Sequence, residues 1–321
     1  MKHIKRLFIV IFILFIIVLT LVFVPKPKYE QTNPFLSKDG MPLVMAHAGG
    51  KGIYPDNTMA AFNYSYDLGV DVLEMDVQLT KDNIPVLLHG ENETGNTIQH
   101  SNCDTVVWEE NYQYLYDNCN FAYNYQEEDE SFLYQDMVST DWQAANVYLP
   151  TLEEVFQNFG DDILYNIEIK ADADAPRTET ADAVIALIED YNLVDNVLLA
   201  TAFDDISEYI VSNYPDILLS MSYGSATKQV ISIYTLTTLF KGKPKYTAMQ
   251  VPTAYDLAVI GNFELNRWMI IHSLHQQNIA MHFWTINDED TMRKLIDQGV
   301  DGIITDYPEL LINIIEEYDS D

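Results

Sequence analysis

Residues 71–90 read DVLEMDVQLTKDNIPVLLHG. Side chains alternate across a strand, so over Val72–Val77 the carboxylates of Glu74 and Asp76 share one face. Leu73, Met75 and Val77 share the other, which is wholly apolar. Two carboxylates aimed together into a fold repel each other unless they are protonated or neutralised by a cation. The segment Pro85–His89 predicts a further strand beside this one, ending in a histidine.

Working outward, short β-rich runs alternate with amphipathic helical stretches. Strands are expected over Leu43–His47, Val72–Val77, Ile163–Ile169, Val197–Thr201, Ile217–Ser222, Tyr246–Gln250, Ala280–Ile286 and Gly302–Thr305. Helices are expected between them, among others over Thr58–Leu68, Leu152–Phe159, Ala181–Tyr191, Glu264–Gln277 and Thr291–Gln298. Eight strand–helix units in strict alternation predict an α/β fold, a TIM (β/α)8 barrel, with a doubly wound open sheet as the alternative. The barrel is expected to occupy residues 41–318, with 90–148 as an insertion after the second barrel strand. That stretch is rich in Asn, Glu and Tyr and is too long for an ordinary loop.

The N-terminus predicts a membrane anchor. Lys2, Lys5 and Arg6 precede an uncharged run, Leu7–Val24, just long enough to span a bilayer. A cleaved signal peptide is the rival reading, but no A-x-A pattern follows the run. The basic flank favours residues 1–6 in the cytoplasm, 7–24 as a single-pass transmembrane helix, 25–40 as a linker and an exported domain at the cell membrane. The formal net charge of −32 disfavours nucleic acid as a partner and repels anionic headgroups. It also repels phosphodiesters, so phosphate chemistry here requires a locally positive site, which a bound divalent cation supplies. Cys103 and Cys119 suit one short disulfide in an exported domain, or two unpaired thiols.

A barrel of this kind carries its active site at the C-terminal strand ends. Those ends deliver His47, Glu74 and Asp76, His89, Glu168 and Lys170, and Trp284. Three carboxylates without a thiolate predict a hard cation, Ca²⁺ or Mg²⁺. Any one of them alone reads as a surface acid or a structural ion pair. His47 and His89 suit proton transfer near neutral pH, although a single histidine is more often held by backbone. His3, His100, His272 and His275 are left in that structural class, and His282 is ambiguous. Trp284 is either a core aromatic or a wall facing substrate.

Together these residues resemble the glycerophosphodiester phosphodiesterase family. The likeness rests on MAHAGG at 45–50, DNT at 56–58, EMD at 74–76, the strand ending in His89, LPTLEE at 149–154, IEIK at 167–170, WTIN at 284–287 and GVDGIITDYP at 299–308. It implies His47 and His89 as an acid/base pair, Glu74, Asp76 and Glu168 as metal ligands, Lys170 on the phosphate and Trp284 on the alcohol side. It further implies metal-dependent hydrolysis of glycerophosphodiesters to glycerol phosphate and an alcohol. Three positions depart from the pattern. Ala48 stands where the family carries Arg, as in an H-A-G-G variant, with Lys51 nearby as a replacement cation. Asp56 replaces Glu, and Gly90 replaces an Asp after the second histidine. These losses leave room for a rival reading, a catalytically silent barrel binding a phosphodiester or an envelope polymer through its tyrosine-rich insertion.

Overall fold

In a computed structural model of the chain, residues 2–91, 94–127, 130–170, 175–257 and 261–320 are described, with only part of the side chains of the first helix. Strands β1–β11 span Leu43–Ala46, Val72–Leu79, Pro85–Leu87, Leu164–Ile169, Val197–Ala200, Leu218–Leu219, Ala248–Val251, Ala254–Leu257, Gly261–Glu264, Ala280–Phe283 and Gly302–Thr305. Helices α1–α11 span Lys2–Phe23, Met59–Leu68, Tyr112–Asn118, Ser139–Ala144, Leu152–Phe159, Arg177–Asp190, Asp204–Asn213, Tyr223–Tyr234, Trp268–His275, Glu289–Asp297 and Pro308–Ser320.

Eight parallel strands follow the order β6-β5-β4-β2-β1-β11-β10-β7. A parallel bridge from Ser220 to Ala248 brings β6 and β7 together, so the sheet closes into a barrel rather than staying open. β3 pairs antiparallel with β2 on the rim. The hairpin β8–β9, following β7, was not anticipated, and helix α9 accordingly starts at Trp268 instead of Glu264.

Alternation along β2 decides what goes where. Leu73, Met75 and Val77 pack outward against Leu152, Val155 and Phe156 of α5 in the main core. Val72 points inward with Leu43, Met45, Leu198, Leu218, Ala248, Ala280 and Ile304. Phe35, upstream of β1, is fully buried in that inner cluster and closes the barrel base. Its burial contributes roughly 1.5–3 kcal/mol. The segment leading to it is bonded in place, Tyr29 to the Gln277 carbonyl and Asn33 to the carbonyls of Thr247 and Asn278. His282 lies wholly inside the barrel, with Nε2 donating to the Phe35 carbonyl at 2.9 Å, so it is a structural group.

The insertion has small cores of its own, one around Leu115, Cys119 and Phe121 and one around Trp142 and Tyr134. Cys103 and Cys119 form a disulfide across a sequence separation of 16. Tyr125 ties the insertion to the barrel by donating its hydroxyl to the Ile53 carbonyl at 2.7 Å. Three other tyrosines there pack on one another, Tyr112 on Tyr116 and Tyr116 on Tyr148. Part of the expected anchor, residues 7–24, falls outside the described side chains. Among the described residues no helix is long and apolar enough to cross a membrane.

Candidate active site

The strand register assembles an acidic cluster. β2 pairs with β4 so that Glu74 faces Asn166 and Asp76 faces Glu168. Carboxylate oxygens of Glu74, Asp76 and Glu168 all lie within 4.8 Å of one another. Glu74 and Asp76 are almost completely buried. Burial and the neighbouring Asp76 push the Glu74 carboxyl up to about 7. For Asp76 burial works in the same direction, but Lys170 and the two histidines outweigh it and hold its carboxyl low. The Lys170 ammonium stands 3.1 Å from Glu168 and 3.5 Å from Asp76. An all-oxygen set of three carboxylates, two of them buried, fits a hard divalent cation.

Backbone and amide groups hold these carboxylates in place. Ala48, in left-handed conformation (φ 47°), donates its N–H to Glu74 at 2.6 Å. Asn57 grips Asp76 twice, its side-chain amide donating to the carboxylate and its carbonyl oxygen accepting from the Asp76 N–H, both at 3.0 Å. Gly49 (φ 81°) permits this turn, since a Cβ there would meet Ala61 and Phe62 at 2.9 Å.

Above the cluster is a cavity of about 340 Å³. Its lining divides evenly between barrel and insertion: His47, Ala48, Lys51, Asp56, Asp76 and His89 from the one, and Gln99, His100, Phe121, Asn124, Tyr125 and Gln126 from the other. The two expected histidines are backed differently. His47 Nδ1 lies 2.6 Å from the Asp306 carboxylate, which also accepts from Asn287 at 2.7 Å. Burial lowers the His47 pKa, but Glu74 and Asp306 more than reverse this and raise it. His89 Nδ1 instead donates to the Gly90 carbonyl at 3.0 Å, which leaves Nε2 as the acceptor in the neutral ring.

The sequence profile of the glycerophosphoryl diester phosphodiesterase family matches residues 47–310. The chain belongs to this family. A glycerophosphodiester phosphodiesterase of Caldanaerobacter subterraneus is 29% identical over 278 residues, 86% of this chain and 98% of that protein. The glycerophosphoryl diester phosphodiesterase domain of a Mycobacterium tuberculosis protein superposes with a TM-score of 0.67 at 17% identity, over 84% of this chain and 97% of the other. An Oleispira antarctica phosphodiesterase, solved with the product sn-glycerol-3-phosphate, gives 0.62 at 20% identity over 86% and 97%. Membership makes the chain a phosphoric diester hydrolase.

For a glycerophosphoryl diester phosphodiesterase, the departures acquire local explanations. Gly90 has φ 78°, and a Cβ there would sit 1.7 Å from the Thr94 carbonyl oxygen, so the loop excludes the family's Asp. Asp56 bonds His100 of the insertion at 3.1 Å. Burial drives that carboxyl up, yet His100 and Lys51 overcome it and hold it well below the usual range. Lys51 is half exposed beside the cavity, 3.9 Å from Asp306. Trp284 is 43% exposed and is not among the groups lining the cavity.

Two groups in the site escaped sequence reasoning. Asp306 was legible as the end of the last barrel strand, where TDY follows an apolar run, but nothing in its spacing pairs it with His47. His100 looked like one more structural histidine. Its ring lies 6.4 Å from that of His89, and its Nε2 is buried with no well-formed hydrogen bond among the described residues. Burial lowers its pKa, and the charge and hydrogen bond of Asp56 raise it by more.

Proposed function

We propose that this chain hydrolyses glycerophosphodiesters to glycerol phosphate and an alcohol, using His47 and His89 for proton transfer beside a divalent cation held by Glu74, Asp76 and Glu168. The observation that carries the reading is the β2–β4 register, which gathers three carboxylates beneath a cavity bearing two differently backed histidines. The cation, when bound, supplies charge that stabilises the phosphoryl oxygens. Ca²⁺ and Mg²⁺ both suit the oxygen donors.

The histidine roles follow from their partners. His47, its Nδ1–H on the Asp306 carboxylate, whose charge favours the protonated ring, protonates the leaving alkoxide. His89, its Nδ1–H on a neutral carbonyl, keeps an Nε2 lone pair and accepts the proton of the attacking hydroxyl. That hydroxyl belongs to water or to the substrate's own glycerol. Lys170 sits where it can bond a phosphate oxygen, and Lys51 adds positive charge at the rim in place of the missing Arg. Trp284 forms part of the outer wall on the alcohol side.

The run Leu7–Val24 anchors the domain to the cell membrane, with residues 41–318 on the extracytoplasmic side. The disulfide is consistent with that compartment. The test is hydrolysis of glycerophosphocholine by the detergent-solubilised chain with EDTA, Mg²⁺ or Ca²⁺. Metal-dependent release of glycerol phosphate supports the reading. Metal binding without turnover on this or any larger glycerol phosphate ester would replace it with the silent binder that Ala48 and Gly90 allow.

A further inference from the structure

We propose that the outer face formed by α8, the segment 235–245 and the start of α9 is a docking surface for anionic lipid headgroups. The proposal deepens the membrane-anchor reading above and rests on it. The chain carries 49 acidic residues, yet none falls between Asp216 and Asp256. Within that interval lie Lys228, Lys241, Lys243 and Lys245, all exposed. In a chain of net charge −32 this cationic island attracts an anionic bilayer locally where the acidic surface around it repels one.

The same face carries the apolar groups an interface requires. Tyr223, Thr227, Ile231 and Tyr234 fall at helical spacing along the exposed side of α8, and Tyr223 and Ile231 are 60% and 58% exposed. Phe240, just beyond, is 86% exposed, and Trp268 at the head of α9 is 58% exposed. Aromatic rings interleaved with lysines are the composition of a membrane–water boundary.

Contacts tie these pieces into one surface at the point where the apolar N-terminal run ends. Phe23, the last residue of α1, packs its ring 6.2 Å from Trp268 and 5.6 Å from His272, which themselves stack at 4.6 Å. Lys26 reaches back to the Val22 carbonyl and across to Gln276, which caps the end of α9. Gln229 of α8 bonds Gln277 just past α9, and Lys243 pairs with Glu30. The anchor therefore leaves the domain along the cationic, aromatic face. Docked there, the barrel lies on its side, and its mouth opens along the membrane surface instead of into it.

The test uses the full chain with liposomes of phosphatidylcholine alone or mixed with phosphatidylglycerol. Flotation with the neutral liposomes reports the anchor. Hydrogen exchange over residues 223–245, and quenching by brominated lipid of the fluorescence that Trp268→Phe removes, report docking. The expected result is flotation with both, and slowed exchange and quenching with the anionic mixture. Replacing Lys241, Lys243 and Lys245 together by Gln abolishes the slowing while leaving flotation and glycerophosphocholine hydrolysis unchanged. Each lysine removed should weaken docking roughly fivefold. A chain that floats yet exchanges and quenches equally on both liposomes overturns the proposal. A chain that ignores neutral liposomes overturns the anchor reading. Lysine-dependent capture by anionic liposomes would then still uphold the surface, and capture by neither would overturn both.

Discussion

The cavity has two makers, and they differ in kind. Its barrel side is made by strand ends, where a period of two and a fixed register put Glu74, Asp76 and Glu168 together whatever the surrounding loops do. Its other side is made by the insertion, where Gln99, His100, Phe121 and Tyr125 arrive by a path set by a disulfide, small local cores and single hydrogen bonds to the barrel. The first side is repetitive geometry and carries the proposed chemistry. The second is set by the local contacts of the insertion and, in the proposed mechanism, tunes the first.

If that division is right, the largest losses come from the strand side. Glu74→Ala should lower glycerophosphocholine turnover by on the order of 10³-fold or more and abolish divalent-cation binding by calorimetry. Retained metal affinity with full turnover would remove the carboxylate cluster from the mechanism. His89→Ala should cost roughly 10²–10⁴ in kcat, and an undiminished kcat would end its assignment as the base.

The insertion should respond first in stability. Replacing Cys103 and Cys119 together by Ser removes the constraint on a loop of 16 residues. We expect a loss of about 3 kcal/mol, localised to the insertion in hydrogen exchange, with the barrel unchanged. Equal destabilisation of both regions would mean they fold as one unit. His100→Phe, which deprives Asp56 of its partner, should lower activity by about 10–100-fold. The loss falls on kcat if His100 holds the surroundings of His89 in place, and on KM if it touches substrate.

The finest distinction is between the two histidines. The group that must be protonated loses activity as pH rises through its pKa, and Asp306 raises the pKa of His47. Asp306→Asn should therefore move the basic limb of the kcat/KM profile to lower pH and leave the acidic limb in place. Movement of the acidic limb alone would exchange the two roles.

Much of the strand side was legible in advance because alternation and strand ends are written directly into short stretches such as VLEMDV and NIEIK. The barrel and its insertion were readable for the same reason. The β8–β9 hairpin was not, because its strands are short and sit next to a helix whose apolar spacing extends into them. Asp306 and His100 depend on contacts across 259 and 44 residues of sequence, which no local pattern encodes. Asp56 stood out as a departure from the family's Glu, and its turn toward His100 of the insertion is likewise a contact no local pattern shows.

The seal at the barrel base has a consequence for where the protein can work. From Tyr29 onward the chain is stitched to the domain, and Phe35 plugs it. Upstream of Tyr29, Lys26 bonds Gln276 and Phe23 packs on Trp268, so the end of the apolar run is itself held against the domain. A leash held that close permits no patrol of the surrounding volume. If the run Leu7–Val24 is the membrane anchor proposed above, the protein is confined to a thin layer over the bilayer and meets the phosphodiesters present in that layer.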